Sequence, residues 1–168
     1  MMTNRARLSA ADMRRLFEML NDELRRVGAD GELYLVGGAV MCLVLGARDS
    51  TRDIDALFKP TRVIREAVAR VASAAGVSSD WLKDAVKGFL GAKRDFLPFL
   101  ELDHLKVFAA EPHYLLAMKC AAMRLGEEFQ DLEDVRYLLR HLGITRADDA
   151  LAVVTKYFDE RSLSPKTR

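Results

Sequence analysis

Two aspartates one residue apart, Asp53 and Asp55, hold the clearest chemical potential in this sequence. In an extended segment side chains alternate between faces, so both carboxylates share one face and Ile54 takes the other. Held side by side they repel one another unless a cation neutralises them. Such hard oxygen donors suit Mg²⁺, whose octahedron is completed by water and substrate phosphates. A second feature lies upstream, where Gly37-Gly38 follow the apolar run ELYLV and precede the helix-compatible run Ala39 to Leu45. Glycines allow a sharp turn and a close approach of backbone to ligand. A helix behind them aims N–H groups and partial positive charge at an anion. The pattern predicts a phosphate cradle and a metal seat close together in space.

The elements that must position these residues span Glu32 to Phe58, read as strand, glycine turn, short helix and second strand. ELYLV is nearly continuously apolar, which suits a strand buried on both faces. Taken singly, a GG pair is an ordinary turn and a D-x-D an ordinary solvated strand end. Their order along the chain is what joins them.

This stretch resembles the nucleotidyltransferase superfamily pattern of Gly-[Gly/Ser], a spacer, and Asp-x-Asp on the next strand. It is more closely similar to the AbiEii-type toxin nucleotidyltransferases and the DUF6036-like proteins. In those a GGAV-like turn leads to an arginine- and threonine-bearing D-x-D strand; here the residues are Arg48, then Thr51-Arg52-Asp53-Ile54-Asp55. The Gly38–Asp53 spacer is long, and the second glycine stands where some members have Ser. The resemblance implies an α/β fold, a small mixed sheet flanked by helices and followed by a C-terminal helical bundle. It implies Mg²⁺-dependent transfer of a nucleoside monophosphate from an NTP to a tRNA end or a protein hydroxyl, by the toxin of a toxin–antitoxin pair with a cognate antitoxin. Asp53 and Asp55 would be catalytic metal ligands, and Gly37, Gly38, Thr51 and Arg52 would bind nucleotide. A third acid often completes such sites, and Glu101 and Asp103 are the candidates. The alternatives are a non-catalytic nucleotide- or partner-binding module on the same scaffold, and an interaction protein with an incidental GG and D-x-D.

Composition bounds the reading. The 168 residues fit an α/β core over 1–110, a helical lobe over 111–160 and a basic tail over 161–168. Half the residues are hydrophobic and 30% charged, a globular profile. A net charge of +1 gives no global field to recruit nucleic acid or membrane. Cys42 and Cys120 sit in apolar helical sequence and read as reduced core residues. With no hydrophobic leader and no membrane-length apolar run, a cytoplasmic protein is expected.

Elsewhere, Ser9 to Asp12 forms a capping-box start to a helix whose Met13, Leu16, Phe17, Leu20 and Leu24 recur at helical spacing, ending near Gly28. Arg14, Arg15, Arg25 and Arg26 read as its solvated face, with an RNA contact as the alternative. Thr61 to Ala75 reads as a helix closed by Gly76, and Ser79-Asp80 as the cap of another bearing Trp81, Leu82, Ala85, Val86 and Phe89. Trp81 serves as a core anchor, with base stacking as the alternative. DWLKDAVKGFL is again similar to the DUF6036-type stretch. Phe96–Phe99 and Leu102–Phe108 read as two strands.

In the helical lobe, the run opened by Pro112 is apolar almost all round and therefore buried. Lys119 falls within its apolar surface, where lysine is rarely found unless paired or used. Asp131 lies on the inner arc of the next helix, Asp131 to Leu142, with Asp134 at its edge. The plain reading is a Lys119–Asp131 ion pair, or Asp131 as helix cap. The resemblance, through a K-x4-R…D segment at Lys119, Arg124 and Asp131, implies that Lys119 binds phosphates and that Asp131 orients it or acts as a base. A last helix is expected over about Thr145 to Phe158. His104, His113 and His141 are too scattered for a metal cluster.

Overall fold

A computed structural model of the chain describes residues 7–52, 54–84, 93–121 and 129–158. A short strand, β1 (Leu8–Ser9), leads into helix α1 (Ala10–Arg26). The expected capping box forms: Ser9 Oγ accepts the Asp12 N–H at 3.1 Å, and the Asp12 carboxylate accepts the Ser9 N–H at 2.9 Å. These bonds, the backbone one first, hold the Asp12 carboxyl below its ordinary value. The helix buries Met13, Leu16, Phe17, Leu20 and Leu24, the stripe read from the sequence.

There follow β2 (Gly31–Val36), α2 (Gly38–Leu43), β3 (Ser50–Thr51), β4 (Ile54–Lys59), α3 (Thr61–Ala75), β5 (Leu82–Asp84), β6 (Phe96–Glu101) and β7 (Leu105–Ala110). β1 and β3 pair with each other, and the main sheet has the order β5-β4-β2-β7-β6. β2 runs antiparallel to β4 and parallel to β7, while β5 runs parallel to β4, so the sheet is mixed as expected.

α1 and α3 pack together on one face of this sheet, the face of Leu33, Leu35, Ala56 and Phe58, all buried. The contact is close enough that a Cβ on Gly31 would overlap Ile64 Cδ1 of α3 and lie 3.2 Å from Leu24 Cδ1 of α1. Burial along β2 alternates, with Glu32, Tyr34 and Val36 only half-buried. The expectation of a strand buried on both faces is thereby corrected, because the described helices of this unit cover one side. On the other side Tyr34 stacks on Phe108 with ring centroids 4.8 Å apart, and Lys59 lies over the Tyr34 ring.

A second correction concerns Leu82–Asp84. This is an edge strand and not part of a helix; the Ile54 N–H donates to the Trp81 carbonyl at 3.0 Å, and β4 then pairs with it in parallel. Ala85, Val86 and Phe89 lie outside the described residues. Trp81 is 2% exposed and its indole donates to the Val68 carbonyl of α3 at 3.1 Å, the core anchor expected of it. α3 closes at Gly76 with φ 69°, a left-handed C-cap that glycine adopts without penalty.

The chain divides into two compact units, Met1–Ala85 with Leu97–Ala109 and Val86–Phe96 with Ala110–Arg168. The second is helical: α4 (Pro112–Ala121), α5 (Phe129–His141) and α6 (Ala147–Tyr157). Glu111 caps α4, accepting the N–H groups of His113 at 2.9 Å and Tyr114 at 3.4 Å. Tyr114 to Cys120 are all buried, which explains a run apolar on every side. Tyr114 meets Tyr157 and Phe96, and the Tyr157 hydroxyl donates to Asp95 at 3.0 Å. Among the described residues no helix is long and apolar enough to cross a membrane.

Candidate functional site

Asp55 is the second residue of β4 and lies directly opposite Val36, the last residue of β2. That register puts its side chain on the sheet face away from α1 and α3, at the end of β2 where the chain turns. The turn is Gly37, with φ 64° and ψ −144°, a conformation that side chains disfavour. A Cβ placed on Gly37 would lie 3.7 Å from Asp55 Oδ2. The acid and the glycine bend therefore share one surface, as their order along the chain implied.

Gly38 explains the second glycine. A Cβ there would come 2.8 Å from Arg48 Nη1 and 3.0 Å from Thr51 Oγ1, so only a bare backbone leaves those two groups in place. Thr51 is buried and is held by the β1–β3 pair, where it stands opposite Leu8. Arg7 adds a clamp on the same strand, donating to Ser50 Oγ at 2.7 Å and to the Ser50 carbonyl at 2.9 Å. Arg48 also faces Cys42 of α2; burial pushes that thiol up, and the guanidinium pulls it the other way. α2 ends at Leu43, shorter than the run to Leu45 expected of it, so its six residues contribute little dipole. Arg48 brings a guanidinium to the bend.

Of the residues singled out by sequence, Gly37, Gly38, Thr51 and Asp55 come together, with Arg48 joining them. Arg52 is exposed beside them. Asp53 lies outside the described residues, as does Arg124. Glu101 and Asp103 are not at this place. β7 runs parallel to β2 with Leu105 opposite Gly31, so the turn before it sits at the far end of β2 from Val36 and Asp55. There Asp103 pairs with Arg25 at 3.0 Å and Glu101 with Lys106 at 3.8 Å, both on the surface. Among the described residues no three His, Cys, Asp or Glu side chains form a metal-sized group.

Lys119 belongs to the helical unit, where its Nζ lies 2.7 Å from Asp134 Oδ2, with 9% and 2% of the two side chains exposed. Lys119 is thus paired with Asp134; the pair foreseen with Asp131 falls on a side chain of α5 that lies outside the described residues. His104 sits 2.9 Å from Asp30 and His113 2.8 Å from Glu111, separate surface pairs.

One cation at the sheet escaped the sequence reading. Lys83 of β5 is the register partner of Asp55. Nothing local announces it, because Leu82–Asp84 becomes a strand only by pairing with β4.

No protein-family model matches the chain, and no curated protein matches it. Among solved structures, the chain is similar to an antigenic nucleotidyltransferase-like protein from Paracoccidioides brasiliensis, with a TM-score of 0.52 and 16% identity over 94% of this chain and 99% of that one. At that identity the likeness shows a shared fold, the nucleotidyltransferase-like α/β arrangement.

Proposed function

We propose that this protein is a Mg²⁺-dependent nucleotidyltransferase that moves a nucleoside monophosphate from an NTP to an RNA or protein hydroxyl, acting as the toxin of a toxin–antitoxin pair. The observation that carries the reading is the juxtaposition of the Asp55 carboxylate with the Gly37–Gly38 bend and the Arg48 guanidinium. The likeness to a nucleotidyltransferase-like protein supports it at the level of fold.

The residues present fit a hard divalent cation. Asp55 offers carboxylate oxygens at the rim of a bend that any Cβ would fill. Asp55, and Asp53 by its place two residues earlier, would hold Mg²⁺ together with phosphate oxygens of the nucleotide. When bound, the ion supplies charge neutralisation and orients a hydroxyl towards the α-phosphorus. The bend lets the triphosphate lie against bare backbone, and Arg48 offers paired N–H donors to phosphate oxygens. Thr51 and Arg52 flank the nucleotide.

A non-catalytic nucleotide-binding module is favoured by one observation: neither Glu101 nor Asp103 joins Asp55. Incubation with each labelled NTP, Mg²⁺ and total cellular RNA and protein separates the two readings. The enzyme yields a labelled acceptor that Asp55→Ala abolishes. A binding module gives nucleotide- and Mg²⁺-dependent thermal stabilisation with no labelled product.

A further inference from the structure

The strand β5 brings a cation to Asp55. In the parallel β4–β5 pair the register is Ile54 with Leu82, Asp55 with Lys83, and Ala56 with Asp84. In-register neighbours project to the same face of a sheet. Two observations fix which face that is. Ile54, Leu82 and Ala56 are buried on the side of α1 and α3, and Asp84 bonds Arg65 of α3 at 3.1 Å. Lys83 therefore points to the opposite side, with Asp55. The Ile54 N–H bond to the Trp81 carbonyl and the Trp81 indole bond to Val68 hold this register at the start of β5. Across the face the order is Lys83, Asp55, then the Gly37 bend, with Arg48 beyond at Gly38. Asp55 and Lys83 are both half-buried, so neither is sealed from a ligand.

From this we infer that Lys83 is a phosphate-binding residue of the site, its ammonium contacting triphosphate oxygens on the side of Asp55 opposite Arg48; the inference rests on the nucleotidyltransferase reading above. A triphosphate beside the Asp55 carboxylate holds more negative charge than one divalent cation cancels. Arg48 and Lys83 supply positive charge on either flank. A lysine suits the strand position, because a compact ammonium on a flexible stem contacts oxygens from several directions. The bland role for Lys83 is neutralisation of Asp55 alone, and the two roles differ in what Mg²⁺ and phosphate do separately.

The test uses the full chain, inorganic triphosphate with Mg²⁺ as the probe, and calorimetry. Lys83→Met should weaken triphosphate binding about tenfold or more, the scale of one charged hydrogen bond, while Mg²⁺ alone binds as tightly as before or tighter. Lys83→Arg should restore most of the loss. In the wild-type protein, Mg²⁺ with triphosphate should protect the Lys83 amine from acylation, read by peptide mass spectrometry, and this measurement decides if the Met variant fails to fold. Equal triphosphate affinity in Lys83→Met, or an unprotected amine in the bound protein, overturns the assignment. If the wild type binds and Asp55→Asn weakens binding while Lys83→Met does not, the Lys83 assignment falls and the nucleotidyltransferase reading stands. If the wild type binds no triphosphate, both fall.

Discussion

Lys119 Nζ and Asp134 Oδ2 meet at 2.7 Å in the helical unit, and both side chains are almost wholly buried. A buried pair contributes little net stability over a well-packed apolar pair, yet removing one partner strands the other charge out of water. Lys119→Met should therefore lower unfolding free energy by about 3–5 kcal/mol, and Asp134→Leu by a similar amount. The double variant should recover most of the loss, as read by urea denaturation. Nucleotide binding measured in the double variant then reports any phosphate contact by Lys119 apart from its packing. Unchanged binding there would remove Lys119 from the site.

Asp55→Asn keeps shape and removes charge. Labelled-product formation should fall about a hundredfold or more. The melting temperature should fall only slightly, because the charge lost is a half-buried one beside Lys83. Activity that survives in a folded Asn variant would rule out Asp55 as a metal ligand.

The two glycines should fail differently. At Gly37 an alanine must adopt φ 64° and ψ −144°, a strain of order 1–3 kcal/mol, so Gly37→Ala should lose stability as well as triphosphate binding. At Gly38 the obstacle is Arg48 Nη1, the far end of a flexible side chain, along with the buried Thr51 hydroxyl. Gly38→Ala should keep most of the stability and weaken triphosphate binding as the guanidinium is displaced. Thermal melts and calorimetry on the pair check this contrast.

Alkaline pH should destabilise the fold through its tyrosines. Burial, and for Tyr34 the hydrogen bond it donates to Glu32, push the phenols of Tyr34 and Tyr114 up to about 12. A raised folded value means that the unfolded chain loses its proton first. The stability is present in full below about pH 10 and is lost as pH rises towards 12, by at most about 1.4 kcal/mol per pH unit for each tyrosine. Tyr114→Phe should flatten that decline in urea titrations between those limits. An unchanged slope would contradict the burial argument.

The thiols give a simple probe of native packing. Burial pushes Cys120 to about 11 and raises Cys42 as well. Since only the thiolate reacts, both should label slowly at neutral pH in the native protein and quickly in urea. Rapid native labelling of Cys120 would show that α4 opens readily.

By itself the sequence determined what depends on neighbours along the chain. The Ser9–Asp12 box, the apolar stripe of α1, the Gly76 stop and the strand–GG–helix–strand order are local patterns, and each is found where the spacing puts it. The tertiary structure decided what depends on pairing across the chain. WLKDAV is compatible with a helix, and only β4 beside it makes Leu82–Asp84 a strand and sets Lys83 next to Asp55. In the helical unit, packing of α4 against α5 brought Lys119 to Asp134, a residue the sequence put only at the edge of the inner arc. Register and interhelical packing are long-range choices with no fixed spacing in sequence, which is why they had to be seen in three dimensions.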